Sequence, residues 1–348
     1  MINLYNLAQV SFELKTEIGQ EGKNSSTYIA DDHQLGAEIV IKKIEKQKLD
    51  SVDAFFNESK ILYLSSHPNV VQIHYACQDD DNIYIAMPYY KNGSLNSLIN
   101  SRFLTIREIV VFGCQIASGL HNIHSKKLIH FDIKPDNILL SDRGEALISD
   151  FGLAKHADLF GKASQDRMYF KMLPPEALNG SEFTVLFDIY QLGLTLYRMC
   201  NGNQDFYTQF NQYGITPSSF NRDGFRFDVR NGRFPNRSIF LEHVPERLRR
   251  IIRKCLEPEP NRRYHATIEV ANALAEIDGK TLDWQFSQAD SKKSWTKLVD
   301  GREYTLSIAS DNTSLATKAT SSGRATQIRE YCKHNLTPKD IKNFLGDY

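Results

Sequence analysis

Residues 128–152 read LIHFDIKPDNILLSDRGEALISDFG, and the stretch sets Asp132, Lys134, Asn137 and Asp150 among short apolar runs. Ile138–Leu140 reads as a short buried strand, Ser141–Gly144 as a turn and Ala146–Ile148 as the returning strand. A hairpin of this kind brings Asp132, Asn137 and Asp150 together at one end. The cluster has a chemical use. A carboxylate beside a hydroxyl can orient it and accept its proton. A second carboxylate and an amide oxygen are hard ligands suited to Mg²⁺, which keeps several waters and bridges phosphates. A lysine between them can neutralise a phosphoryl group in transit. Taken singly, each residue is an ordinary turn former or cap; the combination at these spacings carries the weight.

The stretch resembles the catalytic and metal-binding loops of the eukaryotic-like (Hanks-type) serine/threonine protein kinase family, H-R-D-x-K-P-x-N followed by D-F-G. The resemblance implies Asp132 as catalytic base, Lys134 as the catalytic-loop lysine, and Asn137 and Asp150 as metal ligands. Phe131 stands where the family usually has arginine, which makes this a non-RD type. The implied fold class is α+β: a bilobal protein-kinase-like fold with a small β-rich lobe and a larger, mainly helical lobe. Residues 1–90 would form the first, 91–278 the second, and 279–348 a small α+β extension matching no pattern in the family.

Upstream, Ile18–Ala30 (IGQEGKNSSTYIA) is a strand–loop–strand with small residues that let backbone N–H groups approach phosphates. It lies where kinases carry their Gly-rich loop. By that resemblance Gly19 and Gly22 bind nucleotide, although the spacing departs from the family pattern. Glu38–Lys43 is a β-branched run resembling V-A-I-K, so Lys42 would hold the nucleotide phosphates and Lys43 would face the other side of the strand. Apolar residues at helical spacing in Val52–Leu64 predict a helix carrying Glu58, the implied partner of Lys42. Leu64–Ile73 is close to L-x-H-P-N-I-V-x-L. Met87 then falls at the gatekeeper position, and Tyr89 and Tyr90 in the hinge that would bind adenine.

Downstream, Ile106–His124 has the periodicity of a core helix, with His121 and His124 read as ordinary helix residues. His130 is read as structural, packing under Phe151. Leu153–Leu173 is polar and irregular, and Pro174–Leu178 resembles A-P-E-x-L. In the family, the arginine beside the base clamps a phosphate on this loop; Phe131 cannot, so activity is expected not to depend on loop phosphorylation. Asp188 opens an apolar helix and would bind catalytic-loop N–H groups; Arg263 would pair with Glu176. Asn201–Phe240 is read as loops and short helices whose aromatics form either local core or a substrate-docking surface. In the extension, Trp284, Trp295, Leu298–Val299 and Tyr304–Ile308 alternate like strands around an Asp300-Gly301 hairpin turn. Thr317–Thr326 reads as a loop, and Ile328–Cys332 and Thr337–Leu345 as helical.

The bulk composition is ordinary for a globular chain: 348 residues, 41% hydrophobic and 24% charged. Lys+Arg and Asp+Glu balance at 42 each, so no bulk charge argues for nucleic acid or membrane. Five scattered cysteines without C-x-x-C spacing argue against zinc and for reduced thiols. The first residues lack a signal-peptide pattern, and no apolar run reaches membrane-span length; a cytoplasmic protein is expected. Three readings stand at this point. The first is an ATP- and Mg²⁺-dependent (or Mn²⁺-dependent) serine/threonine kinase acting on a protein substrate. The second is a pseudokinase scaffold that binds nucleotide. The third is a small-molecule kinase.

Overall fold

The computed structural model describes residues 9–18, 25–48, 63, 66–290, 292–320, 323 and 325–348. Gly19, Gly22 and Glu58 lie outside the described residues, as does nearly all of the Val52–Leu64 helix.

Five strands build the sheet of the first lobe. Strands β1 (Phe12–Ile18), β2 (Ser26–Asp32), β3 (Ala37–Glu45), β4 (Tyr75–Gln78) and β5 (Asn82–Pro88) form one antiparallel sheet in the order β1-β2-β3-β5-β4. Alternation along β3 divides its side chains between two faces. Ile39 and Ile41 pack with Ala30 and Ala86 on one face, while Ile44 packs with Ile83 and Ile85 on the other. Lys42 pairs with Ile85 and Val40 with Met87, so Lys42 and Met87 share the Ile44–Ile85 face.

The second lobe is helical. Helix α1 (Leu95–Ser101) is capped by Ser94. Helix α2 (Ile106–Ser125) opens on a capping box, in which Thr105 accepts from the Glu108 N–H and Glu108 accepts from Thr105. Its apolar stripe faces α3 (Leu186–Asn201), the central helix, buried along nearly its whole length. Gly119 permits close approach: a Cβ there would sit 2.6 Å from the Asn69 carbonyl oxygen. That contact anchors His67-Pro68-Asn69, whose Asn69 O accepts from Ile148 N at 3.0 Å and whose Nδ2 donates to Ala146 O at 3.1 Å.

Between α2 and α3, short strands bind the functional loops together. β6 (Leu128–Ile129) pairs with β9 (Lys155–His156), β7 (Ile138–Leu140) with β8 (Ala146–Ile148), and β10 (Ala163–Ser164) with β11 (Glu182–Phe183). The 153–173 segment therefore contains local order where its polar sequence predicted none. Residues 201–240 hold α4 (Asn203–Asn211) and α5 (Arg222–Arg230), and Phe206, Phe210, Phe225 and Phe234 form a buried aromatic core there. Helices α6 (Glu246–Cys255) and α7 (Thr267–Ala275) close the lobe.

The extension is a five-stranded antiparallel meander: β12 (Gln285–Ala289), β13 (Lys292–Val299), β14 (Arg302–Ile308), β15 (Ser314–Thr320) and β16 (Ala325–Gln327). Val299 pairs with Arg302 across Asp300 (φ 49°) and Gly301 (φ 70°), the left-handed pair of a type I′ hairpin. Thr317–Thr320 belongs to β15, which corrects the loop expectation. Only Arg329–Tyr331 turns in the Ile328–Cys332 stretch, as a single 3₁₀ turn; α8 (Pro338–Asp347) is the predicted helix. Trp284, Phe286, Trp295, Leu306 and Phe344 form the extension's core, against which Phe103 and Leu241 of the helical lobe pack.

Candidate active site

Two distant segments meet at the site. Lys42 Nζ lies 3.1 Å from Asp150 Oδ1, although 108 residues separate them. Asp150 takes a left-handed backbone (φ 59°) that turns it away from the β8 strand, and its side chain stays 48% exposed. The Lys42 ammonium holds its carboxyl down at about 2, well below the usual carboxylate range.

Asp132 is arranged differently. Its Oδ2 accepts from Lys134 Nζ at 3.0 Å and Asn137 Nδ2 at 2.7 Å. Its Oδ1 is buried and has no hydrogen-bond partner. A buried carboxylate oxygen without a donor is costly in a finished structure, and it is what an acceptor hydroxyl would satisfy. Asn137 is fixed twice more: Nδ2 donates to Asp132 O at 2.9 Å, and its own carbonyl accepts from Ser149 N and Oγ at 2.8 and 3.0 Å.

The loop's backbone is gripped from α3. Asp188 accepts from His130 N and Phe131 N, both at 2.8 Å, and lies 2.8 Å from His124 Nε2. Gln191, one turn on, accepts from Ile133 N at 2.8 Å and donates to Phe131 O at 3.1 Å. These bonds explain how Phe131 keeps a left-handed φ of 67°, a conformation that costs a non-glycine residue about 1–3 kcal/mol. His124 and Gln191 were missed as members of this clamp. The i, i+3 spacing of Gln191 from Asp188 on an apolar helix was the available signal. His130 packs edge-on to Phe151 with centroids 4.8 Å apart, and burial pushes its imidazole down, consistent with a structural role. Arg263 makes the expected bidentate pair with Glu176, both bonds 2.7 Å.

Phe131 is wholly buried and meets Phe187 and Phe183 edge-to-face at 5.0 and 6.0 Å; Ala163 packs in the same cluster. Apolar contact thus ties the catalytic loop to β10 and β11. Met87, Pro88, Tyr89 and Tyr90 lie where β5 leaves the sheet; Tyr90 O accepts from Gly93 N at 3.0 Å.

Residues 12–273 match the protein kinase domain, three quarters of the chain.

The chain belongs to the protein kinase family.

It is 33% identical over 165 residues to the tyrosine-protein kinase csk-1 of Caenorhabditis elegans, covering 46% of this chain and 31% of that one. It is 28% identical over 221 residues to the mitogen-activated protein kinase kinase kinase 1b of Physcomitrium patens, covering 63% and 27%. It is 30% identical over 227 residues to the serine/threonine-protein kinase PknD of Chlamydia muridarum, covering 54% and 24%. The chain therefore spans less than a third of the length of each of these relatives. The kinase domain implies ATP and a divalent metal, and the residues present suit both. Asp150 and Asn137 supply hard oxygens, and the bonds of Asn137 Nδ2 to Asp132 leave its Oδ1 as the remaining polar atom. No group of three or more His, Cys, Asp or Glu among the described residues could hold a metal. No helix among the described residues is long and apolar enough to cross a membrane.

Proposed function

We propose that the chain transfers the γ-phosphoryl group of ATP to serine or threonine hydroxyls of protein acceptors. The observation that carries this reading is the unpartnered, buried Asp132 Oδ1, whose sister oxygen is held by Lys134 and Asn137. In this reading Oδ1 receives the acceptor O–H, orients it and takes its proton. Lys134 steadies charge on the phosphoryl oxygens, and Lys42 holds the nucleotide phosphates; the family resemblance gives Glu58 as its partner. Gly19 and Gly22 cover the nucleotide, and Met87, Tyr89 and Tyr90 border the adenine. Mg²⁺, or Mn²⁺ in its stead, would be held by Asn137 and Asp150 and would neutralise phosphate charge. Catalysis is then mostly positioning and charge stabilisation. Lys134 favours serine and threonine over tyrosine. Five unpaired cysteines suit a reducing compartment, and we assign the activity to the cytoplasm.

The Phe131–Phe183–Phe187 cluster supports a second part of the proposal, that the 153–183 segment is held without a phosphate. The test is incorporation of labelled phosphate from ATP into generic protein acceptors. Asp132→Ala and Asp150→Ala should each lose about a hundredfold or more, with phosphoserine or phosphothreonine in the product. Phosphatase treatment of the wild type should leave its rate intact. A wild type no more active than Asp132→Ala would overturn the reading in favour of a nucleotide-binding scaffold.

A further inference from the structure

The turn beside the Asp132 loop carries a lysine, Lys171, whose ammonium meets aromatic rings. Tyr169 lies over Lys134, with the ammonium 4.3 Å from the ring centroid. Two residues on, within about 7 Å of chain, Lys171 sits in the Phe170–Met172 3₁₀ turn. Gln191 donates to both Phe131 O (3.1 Å) and Met172 O (3.4 Å), so this turn and the Asp132 loop are fixed to the same side chain. The Lys171 ammonium stands 4.8 Å from the Tyr207 ring and 5.2 Å from the Phe210 ring, half-buried. It has no carboxylate partner among the described residues.

The loop's own acid, Asp136, does not offset it. Asp136 faces the buried Arg198, 3.7 Å from Nη1. Arg198 is held by Asn203 Oδ1 at 2.8 Å and Asn96 Oδ1 at 3.0 Å, and its guanidinium also lies 5.4 Å from the Tyr207 ring. Lys134 is thus paired with Asp132 and Arg198 with Asp136, while Lys171 has ring contacts alone among the described residues. Ring contacts hold a cation in place without neutralising it.

Building on the kinase reading above, we propose that the preferred acceptor segment carries an anionic side chain within about two residues of the reacting hydroxyl, bound by Lys171. Aspartate, glutamate and phosphoserine share this chemistry. With Arg198 against Asp136, a basic flank gains nothing there. A purely structural Lys171, its stem covering the aromatic core, would leave acceptor choice unaffected by charge.

The test uses the full chain and single-serine peptides flanked by aspartate, phosphoserine, alanine or lysine. Wild-type kcat/KM should be about five- to tenfold higher for the anionic peptides than for the alanine peptide, with the advantage shrinking as salt rises. Lys171→Met should level the series and still phosphorylate the alanine peptide. Lys171→Glu should invert the order towards the lysine peptide. A larger gain for phosphoserine identifies previously phosphorylated acceptors; equal gains identify acidic ones. An indifferent wild type, or a preference that survives Lys171→Met, overturns the proposal. If the wild type phosphorylates no peptide, the kinase reading fails. Anisotropy of the same peptides, fluorescently labelled, then decides the anion site alone. Tighter binding of the anionic peptides that Lys171→Met abolishes supports it, and equal binding overturns it.

Discussion

Phe131 shows how one replacement changes the physics of a loop. An arginine there would bring a charge into the space between Phe183 and Phe187, where the described surroundings are apolar. Burying an unpaired charge is expensive, so Phe131→Arg should lower unfolding free energy by about 3 kcal/mol or more. Phe131→Leu should cost about 1–2 kcal/mol. Urea denaturation compares the two, and equal losses would count against an apolar clamp. Lys42 and Asp150 make a pH prediction. The folded carboxyl titrates near 2, below its unfolded value, so the pair's contribution to stability is complete above about pH 4. It is lost as pH falls from 4 towards 2. Lys42→Met should flatten that part of the stability–pH curve; an unchanged slope would mean the contact is not formed in solution.

At the level of elements, α3 organises the site through polar groups buried in its apolar surroundings. Arg263 and Glu176 fasten the segment preceding this helix. Arg263→Ala, which strands a mostly buried carboxylate, should cost about 3–5 kcal/mol, read as a fall in Tm. Most of this was legible because motif residues carry their spacing with them: Asp132, Asn137 and Asp150 follow one another within a hairpin, and Asp188 opens a strongly apolar helix. The parts that were not legible lack such a signature. His124 and Gln191 take their roles from what lies opposite them in space. Thr317–Thr320 looked like a loop because its Ser/Thr/Ala composition hides the alternation; Ala316 is small where it pairs with Leu306, and Lys318 pairs with Tyr304. The order at β9 and β10 comes from pairing with distant β6 and β11, which local polarity does not report.

For the molecule as a whole, the joint between the helical lobe and the extension is built around His243. Trp295 Nε1 donates to His243 Nδ1 at 3.2 Å, and the imidazole stacks on Phe286 at 5.3 Å. Burial pushes His243 down to about 4. Glu242, beside it, is paired with Lys293 of β13, and Arg249 is a second cation near it. Between pH 6.5 and 4 the unfolded chain binds this proton and the folded chain does not. Stability should therefore be full above pH 6.5 and decline as pH falls towards 4. His243→Gln should remove that dependence; an unchanged midpoint-versus-pH slope would exclude His243 as its source. The same joint bears on shortened versions of the protein. Phe103 and Leu241 are covered by the Trp284–Phe344 core, so a chain cut at residue 278 would leave them bare to water. Such a fragment should self-associate, and polar residues at 103 and 241 should restore it to single, freely soluble copies.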